Sequence, residues 1–65
     1  MKLKDAIKEA LVTRDAVLAG KVADYCRFRL GMNYPQTFAL VQEVRPQAML
    51  AEWDALLYEA DETGE

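Results

Sequence analysis

Apolar residues return at helical spacing along nearly the whole chain, and no stretch alternates with a two-residue period for long enough to argue a strand. Leu3, Ala6, Ile7, Ala10 and Leu11 fall at i, i+3, i+4, i+7 and i+8, one stripe of a helix running from Lys2 to about Arg14, with Lys4, Asp5, Lys8 and Glu9 on the other side. Its end has two readings. Thr13 caps a new helix beginning at Arg14, or the first helix runs on to Ala19 and stops at Gly20, where a residue without Cβ readily turns left-handed. A break near Thr13 to Asp15 is preferred. The second helix then runs to Leu30 and stops at Gly31. Ala19, Val22, Ala23, Cys26 and Leu30 form its stripe, and Leu18, Tyr25 and Phe28 spread apolar surface well beyond it. So little is left for water that this is the expected central helix, with Tyr25 and Phe28 in the core. Gly20 inside it costs about 1 kcal/mol relative to Ala, which points to a close helix crossing or to the earlier break.

Gly31-Met32-Asn33-Tyr34-Pro35 is the strongest punctuation in the chain. Gly31 closes one helix, Asn33 can accept from the free amides of the next, and Pro35 sits where a missing amide does no harm. A third helix is expected from about Pro35 to Val44, with Thr37, Leu40, Val41 and Val44 facing inward and Tyr34 and Phe38 alongside. Arg45-Pro46 ends it, and Pro46 is a good first position for a fourth helix, whose stripe is Met49, Trp53, Leu56, Leu57 and Ala60. The expectation is an all-α, compact four-helix domain over residues 1–61. It is built as two helical hairpins around Val22, Cys26, Leu30, Leu40, Val41, Trp53 and Leu56, with a frayed acidic tail at 62–65.

The run Leu30-Gly31-Met32-Asn33-Tyr34, continued by Phe38, Leu40-Val41 and Val44, resembles the turn and recognition helix of the molybdate-responsive winged-helix regulators. There a Leu-Gly-Met-Ser-Tyr turn precedes a helix with an aromatic residue and a Leu-Val pair. The resemblance covers Leu30 to Val44 only. It implies a helix-turn-helix around Gly31, acting as a dimer, that offers Asn33, Tyr34, Gln36, Thr37 and Arg45 to phosphates or base edges. The chain departs from that family at Arg27, four positions before Gly31, where a small residue usually lets the two helices approach. It departs again after Pro46, where a charged helix stands in place of a wing.

Charge changes this picture. Residues 1–45 carry eight bases against five acids, a net +3, whereas residues 46–65 carry six acids and no base. With a pI near 4.8 the chain is poorly suited to bind DNA on its own, because that affinity comes largely from neutralising phosphates. Such a division of charge acts on partners and association rather than on the fold. The bases Lys21, Arg27, Arg29 and Arg45 are expected to pair with the acidic fourth helix, within the chain or in a neighbouring copy. The acids Glu52, Glu59, Asp61 and Glu62 form a solvated face, or alternatively imitate a nucleic-acid backbone for a basic partner.

Chemistry is scarce. No His and no Ser occur, which removes the commonest general base and the commonest oxygen nucleophile, and one Cys without His cannot build a zinc site. The three glycines are too widely spaced for a phosphate loop. No catalytic residue, cofactor or metal is assigned. No apolar run approaches the length of a membrane span, no secretion signal is recognisable, and the lone Cys26 fits a reducing, cytoplasmic setting. What remains is recognition. Trp53 belongs to the core stripe, whereas Tyr58 lies about 140° away around the helix, beside Ala51, Asp54 and Ala55. Tyr58, Asp54, Ala51 and Arg27 are therefore the candidate protein-interaction residues. The expected function is a small non-enzymatic interaction or assembly module, self-associating most simply as a dimer. A helix-turn-helix DNA-binding regulator is the alternative, and an acidic inhibitor of a nucleic-acid-handling machine the third.

Overall fold

Each interruption of the helical pattern corresponds to a turn of the backbone in the structure, a computed structural model that describes residues 2–62. Helix α1 (Leu3–Thr13) buries Ala6, Ile7, Ala10 and Leu11, the stripe expected of it. It closes at Arg14, which adopts a left-handed conformation (φ 56°) and donates its amide to the Ala10 carbonyl. The Thr13 hydroxyl turns back onto the Glu9 carbonyl, and Asp15 takes the capping role, its carboxylate accepting from the Leu18 amide at 3.1 Å. The chain thus breaks between Thr13 and Asp15, and α2 (Ala16–Asp24) follows.

Helix α2 runs without interruption into a π-helical turn, Tyr25–Arg29, in which the Leu30 amide reaches back five residues to the Tyr25 carbonyl. This wider turn corrects the expectation for the end of the helix. Leu30 no longer follows Cys26 at α-helical spacing and is 47% exposed, and Tyr25 and Phe28, expected in the core, face outward. Gly31, at φ +67°, reverses the chain, so that the Met32 amide donates to the Cys26 carbonyl and the Met32 side chain packs against the core.

Helix α3 (Tyr34–Val44) starts from a complete capping box: Asn33 accepts from the Gln36 amide, and the Gln36 side chain accepts from the Asn33 amide. Thr37 and Val41 are buried, Leu40 only partly so. Arg45 is extended before Pro46, as that pair requires. Pro46 does not open the fourth helix, however. The Ala48 amide donates to the Arg45 carbonyl, which closes a tight turn and tucks Ala48 into the core. Helix α4 therefore spans Leu50–Glu62, and Met49, ahead of it, is 64% exposed rather than part of the inner stripe. Glu62 is still helical, and the remainder of the expected tail, 63–65, lies outside the described residues.

The domain is all-α with four helices. Helices α1 and α2 form the first expected hairpin. The second pair is arranged differently, since α4 packs chiefly on α2, and α3 on α1, leaving α2 as the central element. Gly20 explains how α4 comes so close: a Cβ added there would stand 3.1 Å from the Ala60 Cβ. The largest fully buried side chains are Trp53, Ile7, Val41 and Cys26, from α4, α1, α3 and the π turn that continues α2. Burial also pushes the Cys26 thiol pKa up, a hydrogen bond with Thr37 opposing it. No helix among the described residues is long and apolar enough to cross a membrane.

Trp53 is completely buried, yet its indole N–H finds no hydrogen-bond partner among the described residues. Its contribution is then almost entirely packing. Trp53→Ala should cost about 3–5 kcal/mol, comparable to the whole stability of a domain this size. Trp53→Phe should cost well under half of that, because it keeps much of the ring volume and removes an unpaired donor whose burial is worth about 1–3 kcal/mol. Thermal and urea melts followed by circular dichroism measure both; equal losses would mean that the indole N–H is bonded after all.

Candidate interaction surface

With Trp53 and Leu56 turned inward, helical geometry carries Ala51, Asp54, Ala55, Tyr58 and Asp61 to the outside of α4, where they line one shallow depression. Tyr58 stands in it 68% exposed, and the two alanines beside it leave the depression open. Three of the four interaction residues expected from sequence, Ala51, Asp54 and Tyr58, are thus brought together. The fourth, Arg27, lies elsewhere, on a groove of about 550 Å³ between α2 and α4. Val17, Gly20, Ala23, Leu57 and Ala60 line its apolar part, and Tyr34 and Asp61 also border it.

Asp54 is not a free carboxylate. It accepts a hydrogen bond from the Tyr34 hydroxyl, which ties the first turn of α3 to α4. Burial, this hydrogen bond and the negative charge of Asp54 all push the Tyr34 pKa well above its ordinary value of 10. The depression around Tyr58 therefore has two exposed acids, Asp54, held by its hydrogen bond, and Asp61.

The π turn creates a second surface that periodicity alone missed. Phe28 is 71% exposed, the most exposed of the large apolar side chains among the described residues, and the Arg27 guanidinium carbon lies 5.2 Å from its ring centroid, a cation–π arrangement. Tyr25 and Leu30 are exposed on the same segment. A signal was present in the sequence: Phe28 has an arginine on each side, an unusual setting for a core aromatic. The expected pairing of the bases with the acids of α4 does not occur within the described residues. Among them the ion pair is Lys4–Glu43, at 3.3 Å between α1 and α3, with both side chains exposed.

The residues implied by the helix-turn-helix resemblance divide between the two ends of α3. Asn33, Tyr34, Gln36 and Thr37 stand at its start, and all four side chains have partners within the domain. Asn33 and Gln36 complete the capping box, Tyr34 binds Asp54, and buried Thr37 donates to the Asn33 carbonyl at 3.1 Å. Arg45 is exposed beyond the other end, nine residues from Gln36, roughly 13 Å along the axis. No group of three or more Cys, Asp or Glu among the described residues is arranged to hold a metal ion. Compared with protein families, curated proteins and solved structures, the chain matches none.

The Tyr34–Asp54 link has an alkaline signature. Because the folded chain favours protonated Tyr34, the unfolded chain releases this proton first, so its contribution is intact below pH 10 and declines as pH rises above it. Ultraviolet titration should show a tyrosine ionising above pH 10 that is absent from Tyr34→Phe, and the wild type should lose helicity over the same interval more steeply than that variant. Coincident alkaline melts would show that the link does not support the fold.

Proposed function

We propose that this chain is a small, non-enzymatic protein-interaction module, acting in the cytoplasm, that works by covering the Tyr58 face of α4 with a partner. One observation carries this reading: Tyr58 stands exposed in an open depression on a helix whose opposite side is fixed in the core by Trp53. An aromatic ring in that position gains by being covered, since Tyr supplies a large contact area with few rotatable bonds. The rest of the surface fits the same task. Phe28, Leu30, Met49 and Leu50 are also exposed and offer further apolar surface that a partner can cover. Self-association is its simplest form, because burial between copies supplements a small core.

The helix-turn-helix reading draws support from the Gly31 turn and the well-capped α3, but the side chains at the start of α3 are occupied within the domain. Reading bases would require those bonds to be exchanged. The acidic-inhibitor reading rests only on the exposed carboxylates of α4.

Immobilised protein exposed to lysate with and without nuclease, together with sedimentation of the purified 7.4 kDa chain, tests the proposal. A protein partner, another molecule of the chain included, should be retained, and Tyr58→Ala should release it while melting as the wild type does. Retention of nucleic acid alone, or protein binding indifferent to Tyr58→Ala, would contradict it.

A further inference from the structure

Two exposed aromatic surfaces of opposite charge lie on this small domain. One is the π turn, where Phe28 projects beneath Arg27 with Arg29 beside it. The other is the depression around Tyr58, bordered by Asp54 and Asp61. A π turn is rare, and such turns occur frequently at functional sites. Here it coincides with the most exposed large apolar side chain of the described residues and with two arginines that form no ion pair among them. The depression has the complementary features. Ala51 and Ala55 leave room for a ring against Tyr58, and its acids are opposite in sign to the arginines.

The two surfaces are also neighbours. Arg27 borders the α2–α4 groove from the π turn that continues α2, and Asp61 borders the same groove from α4 while belonging to the Tyr58 depression. The charged edges of the two surfaces thus border one groove, and in a twofold contact each copy offers its π turn to the other's depression, so that the same contact forms twice. We propose that a second copy of this chain occupies the Tyr58 depression, inserting Phe28 and Arg27 of its π turn, in a symmetric dimer. The proposal rests on the reading of the Tyr58 face given above and names its partner. Apolar contact between Phe28 and Tyr58 supplies the attraction, and the pairing of Arg27 with Asp61 sets the register.

Charge reversal tests it, because a mixture of variants separates contacts between copies from contacts within one. In sedimentation equilibrium at low salt the wild type should dimerise. Arg27→Glu and Asp61→Lys should each weaken the dimer by about tenfold, since each sets like charges against one another in both halves of the contact. Their equimolar mixture should recover wild-type affinity, because a heterodimer sets the two reversed charges against each other in one half and keeps the native Arg27 against Asp61 in the other. Phe28→Ala should weaken the dimer in every combination, and circular dichroism should show each variant folded. Single variants that dimerise like the wild type, or a mixture no tighter than its components, would overturn the proposal, as would a wild type that remains monomeric. In that last case the broader interaction reading stands if Tyr58 is still needed to retain a different protein, and falls with the proposal if it is not.

Discussion

The approach of α4 to α2 at Gly20 is the constraint from which the remaining features follow. A Cβ at that position would stand 3.1 Å from that of Ala60, close enough that α4 would have to give way by a few tenths of an ångström. A larger side chain would push it further, so the missing Cβ sets how closely the two helices lie. It also fixes the rotation of α4 about its axis. With Ala60 against α2, Trp53 and Leu56 enter the core, and the residues some 140° around the helix, Tyr58 foremost, are left outside. The groove between the helices borders the same contact, with Gly20 and Ala60 both in its lining. A single glycine thus links core closure to the placement of the candidate interaction face.

Small residues carry this arrangement elsewhere as well. Alanines at 6, 10, 16, 19 and 48 contribute to the core, and they let helices approach closely while burying little area each. Trp53 offsets this as the largest buried side chain. A core so composed leaves several large apolar residues outside, among them Phe28, Met49 and Tyr58. The charges follow the same logic. The basic and acidic parts of the chain do not neutralise each other among the described residues, where Lys4–Glu43 is an exposed pair worth about 0–1 kcal/mol.

Where local chemistry decides the backbone, the sequence was legible. The α1 stripe, the break before Asp15, the Asn33 cap and the opposite placement of Trp53 and Tyr58 all follow from periodicity and capping, which act within one or two helical turns. The differences arise where tertiary contacts select between local alternatives. A π turn hydrogen-bonds nearly as an α-helix does, so helical periodicity does not announce the shift that turns Phe28 outward and displaces Leu30, and the arginines flanking Phe28 are its one trace in the sequence. Pro46 suits either the first turn of a helix or a tight turn, and burial of Ala48 selects the second. Pairing of α4 with α2 instead of α3 was beyond periodicity too, although Gly20 had already marked a close crossing. At the candidate surface Tyr58, Asp54 and Ala51 were legible for the same reason as Trp53, whereas the exposed Phe28 was not.

The single tryptophan makes the central constraint directly measurable. If the Gly20–Ala60 approach holds α4 in place, wild-type Trp53 should emit at the short wavelengths of an apolar site and resist quenching by iodide. In Gly20→Leu, which forces α4 away from α2, the emission should move to the red and become quenchable, while much of the far-ultraviolet helical signal remains from α1, α2 and α3. A Gly20→Leu protein whose Trp53 stays blue-shifted and shielded would contradict the account, because α4 would then keep its place without the contact on which its orientation is argued to depend.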